Sequence, residues 1–68
     1  MIIEAVMRAQ RVSRPVAVVK VQNESGLIHM KKHRGKLTYD DFDKACDNLG
    51  IDRVHSLYFL QKSNGLLK

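Results

Sequence analysis

PVAVVKVQNESGLIHMKKH, residues 15–33, is the stretch that decides the fold prediction. Its first part, residues 15–22, is short and rich in β-branched side chains, which is typical of a strand. The tetrapeptide NESG at 23–26 can form a turn, because glycine adopts a positive φ without steric cost. Residues 27–33 then predict a second strand, antiparallel to the first.

The order of side chains agrees with such a hairpin. If Gln22 lies opposite Leu27 across the turn, period-two alternation gives one apolar face and one mixed, basic face. The apolar face contains Ala17, Val19, Val21, Ile28 and Met30. The other face contains Val16, Val18, Lys20, Gln22, His29, Lys31 and His33. The pattern therefore predicts a β-hairpin over 15–33.

Helices are predicted on both sides of the hairpin. Residues 2–11 have apolar side chains at helical spacing, and Pro15 prevents that helix from continuing. Residues 39–49 carry a second apolar stripe. Thr38 is suited to cap the N-terminus of this second helix, and Gly50 is suited to end it.

The segment 52–62 is open to two interpretations. As a helix it begins at Asp52, whereas as a strand it contains LYFL, a short apolar run before a turn. The heptapeptides QNESGLI at 22–28 and QKSNGLL at 61–67 share glutamine, glycine and leucine in register. This repeat favours a second hairpin turn, and hence strands at 53–61 and 66–68.

The predicted architecture is an α+β single domain over 1–68, in the order α-β-β-α-β-β, with two helices on one face of a small antiparallel sheet. The alternative keeps 52–62 helical and gives a helix-turn-helix with a wing-like strand. In that fold Arg53, His55 and Lys62 are the candidates for contact with DNA.

The length and composition indicate where the protein works and how it gains stability. A chain of 68 residues with one cysteine has no internal disulfide, so oligomerisation, in the form of a homodimer, is the expected reinforcement. The N-terminus lacks the pattern of a signal peptide, and no apolar run approaches the ~20 residues that span a bilayer. We expect a soluble cytoplasmic protein without a membrane partner.

Charge points to an anionic partner. The net charge is +5, and residues 1–37 hold eight Lys and Arg against two Glu, whereas residues 38–68 hold four against five Asp. Such asymmetry favours binding to nucleic acid, either DNA or RNA. The strongest candidate is HMKKHRGK at 29–36, because neutralising phosphates releases condensed counterions. The predicted nucleic-acid-binding residues are His29, Lys31, Lys32, His33, Arg34 and Lys36, together with Arg8, Arg11 and Arg14.

The outer face of the predicted sheet suggests a second function. Its apolar strip consists of Val16, Val18, Leu57 and Phe59, which we interpret as a dimer interface. The alternative function is a protein–protein interaction module or inhibitor that docks through the face or edge of the sheet.

Catalytic and metal chemistry are not indicated. His29 and His33 on a strand lie ~13 Å apart, too far to share one zinc ion. Cys46 lies on the apolar stripe of the second helix, which favours a core role over that of a nucleophile. No nucleophile with a plausible base, glycine-rich phosphate loop or calcium loop is present, so we expect no enzymatic activity and no cofactor.

Overall fold

The computed structural model describes the backbone of residues 1–67 and the side chains of residues 1–62. In this part of the chain every regular element is a helix: α1 (Ile2–Gln10), α2 (Arg14–His33), α3 (Tyr39–Leu49) and α4 (Ser56–Leu67), with a 3-10 turn at Arg53–His55. The predicted α+β fold with an antiparallel sheet is therefore wrong, since no strand is formed over residues 1–67.

Helix α2 replaces the predicted hairpin. It runs without interruption through 15–33, and the expected turn at 23–26 is helical. Helix α1 ends at Gln10, before Pro15 as predicted, and Pro15 lies in the first turn of α2, where its missing N–H costs nothing. Gly26 is tolerated in the helix interior, and the space beside it is open, since a methyl group added there would meet no neighbouring atom within 4 Å.

The physical reason for this error is that α2 is apolar on two faces. Ala17, Val21 and Ile28 are buried, whereas Val19 and Met30 are about half exposed. The hairpin prediction placed all five on one face, because a run with apolar residues on two sides of a helix also satisfies period-two alternation. Burial against the other helices, which no local pattern contains, decides between the two structures.

Helices α1 and α3 confirm two predictions. Helix α3 occupies 39–49 as expected and ends at Gly50, whose φ is 72°. The carboxylate of Asp41 accepts hydrogen bonds from the backbone N–H and the hydroxyl of Thr38, at 2.8 and 3.2 Å. This satisfies N-terminal donors of the helix in the manner of a capping box. Helix α1 ends at Gln10, and the C-cap residue Arg11 takes the left-handed conformation with φ 54°.

The C-terminal strands are also corrected. Residues 53–61 form the 3-10 turn and most of α4, and residues 66 and 67 continue that helix, while residue 68 lies outside the described part. Asp52 accepts a hydrogen bond from the Val54 N–H at 3.0 Å, which starts the 3-10 turn. The helical interpretation of 52–62 is thus the one that the structure has, but the wing-like strand that accompanied it is absent from the described residues.

The repeated heptapeptides do not mark turns. QNESGLI lies inside α2 and QKSNGLL lies inside α4.

Ser56, the first residue of α4, faces the core and is only 3% exposed. Its hydroxyl lies 3.4 Å from that of Tyr39, so the buried oxygen has a polar neighbour.

The core joins all four helices. Gln10 donates a hydrogen bond to the Leu49 carbonyl at 2.8 Å, which ties the end of α1 to the end of α3. The molecule is elongated, with principal extents of 34 × 20 × 16 Å. The buried apolar residues are Ile2, Val6, Ala17, Val21, Ile28, Phe42, Ala45, Cys46, Leu49 and Phe59.

Candidate nucleic-acid interface

The basic segment 29–36 lies at the C-terminal end of α2 and in the loop that follows. Gly35 takes φ 71°, and its N–H donates to the Lys32 carbonyl at 3.0 Å. The Lys36 N–H donates to the Lys31 carbonyl at 3.0 Å. These two bonds form a Schellman motif. Because both N–H groups are occupied within the motif, neither is free to bind a phosphate, and the charged side chains are the candidates for phosphate contact.

Lys31 belongs to the fold rather than to a free basic surface. Its ammonium group lies 2.6 Å from the carboxylate of Asp41, which is 8% exposed. The Lys31 hydrogen bond, assisted by the Thr38 N–H, lowers the pKa of Asp41, although burial acts in the opposite direction. This ion pair fastens the end of α2 to the start of α3.

The remaining cations of the segment are available. Among the described side chains, no carboxylate comes within 4.0 Å of Lys32, Arg34 or Lys36. Arg34 and Lys36 are exposed, and Lys32 is half-buried. His29 and His33 are exposed on the same helix end. Five of the six residues predicted in this segment thus lack a carboxylate partner among the described side chains, and three of them, His29, His33 and Arg34, line one shallow surface.

Arg8, Arg11 and Arg14 lie elsewhere. Arg14 is the first residue of α2, and Arg8 and Arg11 belong to the end of α1 and the turn before α2. Since α2 has 20 residues, at a rise of ~1.5 Å each the two ends are about 30 Å apart. All three arginines are exposed, but in one copy of the chain they do not extend the 29–36 surface.

Helix α3 carries the opposite charge, with four aspartates against one lysine, and two of these aspartates are paired with cations on or next to the helix. Lys44 lies 3.3 Å from Asp40, and Arg53 binds Asp47 through two nitrogens, at 3.1 and 2.8 Å. The Arg53 hydrogen bond lowers the pKa of Asp47. Because Asp47 occupies Arg53 and further acidic residues lie near it, Arg53 is poorly suited to contact phosphates. The basic and acidic parts of the sequence therefore also lie in different parts of the fold, the cations at the end of α2 and the aspartates on α3.

The described residues contain neither a group of metal ligands nor a reactive thiol. On a helix, His29 and His33 are one turn apart, not ~13 Å as on a strand. Even so, no group of three or more His, Cys, Asp and Glu within the described part could hold a metal ion. Burial, followed by the nearby Asp43 and Asp47, raises the pKa of the Cys46 thiol to about 11. Cys46 is thus protonated and unreactive at neutral pH.

The predicted interface strip does not exist as one surface. Phe59 is 1% exposed and belongs to the core, and Val18 is half-buried. Val16 and Leu57 are exposed, but they lie on different helices, α2 and α4. The strip depended on a sheet, so it is corrected together with the fold.

A different apolar surface was not predicted from the sequence. Val16, Val19, Leu27 and Met30 are 42–55% exposed and lie on the outward face of α2. We call these four residues the α2 stripe. A helical projection of 14–33 reveals them, because positions 16, 19, 27 and 30 fall within about 80° of one another at 3.6 residues per turn.

Comparison of the chain with models of known protein families, with curated protein sequences and with solved structures found no match. None of the helices within the described residues is both long enough and apolar enough to cross a membrane.

Proposed function

We propose that this chain is a small, non-enzymatic regulatory protein of the cytoplasm that binds nucleic acid through phosphate contacts. The contacts come from the C-terminal end of α2 and the loop after it, chiefly from Lys32, Arg34 and Lys36. The observation that carries the proposal is that these cations have no carboxylate partner among the described side chains, whereas Lys31, Lys44 and Arg53 have one.

The helix end explains how such a surface remains compatible with the fold. The C-terminus of a helix carries a partial negative charge, which stabilises nearby cations. The same partial charge disfavours an anion close to the backbone. Phosphates are therefore held by long side chains that reach beyond the helix end, with Arg34 able to make a bidentate contact. Contacts of this kind supply affinity with little sequence preference.

The alternative function, a module that docks on another protein, loses the surface first assigned to it. Within residues 1–67 there is no sheet whose face or edge could bind a partner. An exposed apolar surface is present on α2 instead, and it supports a different association, which is described below.

A double variant tests the proposal. Replacing Lys32 and Arg34 with Ala removes two phosphate contacts and should weaken binding to duplex DNA at low salt. The slope of log K against log salt should become less negative by about 1.8, or by about 1.4 for a single strand. Binding is measured by fluorescence anisotropy with labelled duplex and single-stranded DNA and RNA at several salt concentrations.

The matched control removes the same charge elsewhere. Lys44 and Lys62 are each replaced with Ala, because Lys44 pairs with Asp40 and Lys62 lies over the Tyr58 ring. This control should keep most of the affinity and the full salt slope. Equal losses in both double variants would mean that only net charge matters, and an absence of binding at low salt would exclude the function.

A further inference from the structure

The α2 stripe is arranged symmetrically about one polar residue. Val16 and Met30 lie seven residues before and after Asn23, and Val19 and Leu27 lie four before and after it. At 3.6 residues per turn, Asn23 falls on the same outward face as these four residues, in the middle of the stripe. Such a pattern is self-complementary when the helix is reversed.

From this symmetry we infer that a second copy of the chain packs antiparallel on the α2 stripe, with a two-fold axis passing between the paired Asn23 residues. Val16 of each copy then faces Met30 of the other, and Val19 faces Leu27. The two Asn23 amides meet at the centre, where each can donate to the other's carbonyl. The interface is isologous, as the symmetry of a dimer requires.

The sides of the stripe fit the same arrangement. Two-fold symmetry places equal flanks of the two helices side by side. On one flank, Lys20 of one copy and Glu24 of the other are offset by about 3 Å along the axis, which allows two equivalent ion pairs. On the other flank, Val19 lies against Gly26, whose missing side chain leaves room for close approach. A parallel pair would instead set Gly26 against Gly26 and Arg34 against Arg34.

The antiparallel pair also completes the basic surface. Arg34 lies eleven residues after Asn23, and Val12, in the turn between α1 and α2, lies eleven before it. Each copy therefore brings the basic end of its α2 to the other copy's turn, close to Arg11 and Arg14. The two groups of predicted nucleic-acid-binding residues, which are far apart in one copy, become neighbours at both ends of the dimer. That these joined groups bind nucleic acid rests on the proposed function.

The size of the interface predicts a weak dimer that responds to anions. The stripe is about 21 Å long on a helix about 10 Å wide, so it covers on the order of 200 Å² per copy. Stable dimers bury about 800 Å² per copy. The basic ends repel one another, and a bound polyanion relieves this repulsion. By linkage, nucleic acid should tighten dimerisation as much as dimerisation tightens nucleic-acid binding.

Sedimentation equilibrium tests the pairing with the full chain, up to millimolar concentration. The wild type should form a dimer, Leu27→Asp should weaken association at least ~10-fold, and Leu57→Asp should leave it unchanged. The two residues are 55% and 51% exposed, so both variants should keep the helical circular-dichroism spectrum. A monomer at every concentration, or equal losses in both variants, overturns the inference.

Cross-linking tests the orientation. Val16→Cys and Met30→Cys are prepared separately and mixed under mild oxidation, with Cys46 left in place because it is buried. Antiparallel pairing should give mainly the mixed disulfide, whereas parallel pairing gives the two homodimers and overturns the arrangement.

Oligonucleotides separate this inference from the proposed function. A 20-mer added at low salt should shift the wild type toward the dimer at least ~10-fold. Dimers that form without any nucleic-acid binding exclude the proposed function and leave the α2 pairing standing. Nucleic-acid binding by a chain that stays monomeric does the opposite.

Discussion

The two faces of α2 use the same residue types for different purposes. The inward face holds Ala17, Val21 and Ile28, each at most 5% exposed, whereas the outward face holds the half-exposed α2 stripe. Hydrophobicity alone does not distinguish the two faces. What separates them is whether another helix of the same chain covers them, so one face stabilises the fold and the other remains free for association.

Two neighbouring residues give the largest contrast between the faces. Ile28→Ala removes buried methyl groups and should lower the free energy of unfolding by about 2–4 kcal/mol. Leu27→Ala, one position earlier on the exposed face, should change it by no more than about 0.5 kcal/mol in dilute monomer. Urea unfolding followed by circular dichroism measures both values, and equal losses would contradict the assignment of the faces.

The Lys31–Asp41 ion pair at the C-terminal end of α2 should make the next largest contribution to the free energy of unfolding. Asp41→Asn weakens the bond to Lys31 and the cap at Thr38, and should cost about 1–2 kcal/mol at neutral pH. Because the folded protein lowers the Asp41 pKa, this stabilisation is fully present above the ordinary pKa of about 3.9. It is lost as the pH falls through the lowered value.

The pH dependence distinguishes this anchor from an exposed ion pair. Stability measured between pH 7 and pH 2 should fall less steeply in acid for Asp41→Asn than for the wild type. Asp47→Asn is the comparison, since the pKa of Asp47 is lowered by the solvent-exposed Arg53. Surface pairs contribute little, so this variant should stay close to the wild type. If the two variants behave alike, the Lys31–Asp41 pair does not anchor α2.

The sequence predicted the elements that carry local signals. Pro15, Thr38 and Gly50 mark helix boundaries through their own backbone chemistry, and α1 and α3 are found where these residues place them. The cluster of cations at 29–36 is visible in the sequence itself, and its binding to nucleic acid stays a prediction. That Lys31 pairs with Asp41 was not predictable, since the contact requires α2 to end beside α3.

The middle of the chain could not be predicted in the same way. The β-branched residues of α2 favour a strand locally, and glycine in NESG favours a turn. Both preferences are weak compared with the burial of Ala17, Val21 and Ile28 against neighbouring helices. Phe59 shows the same effect: it was expected on an outer sheet face and lies in the core because α4 turns it inward.

The smallest expected effect is that of Gly26→Ala, which should change the stability of the monomer and the strength of dimerisation in opposite directions. Gly26→Ala places a methyl group where the monomer has open space, and should stabilise α2 by about 0.5–1 kcal/mol. In the antiparallel pair the same methyl group pushes against Val19 of the second copy and should weaken dimerisation. Gly35→Ala is the control, because its φ of 71° makes any side chain costly and should destabilise the monomer instead. Unfolding of dilute protein and sedimentation of concentrated protein should therefore give opposite signs for Gly26→Ala, and the same sign in both would place Gly26 outside the interface.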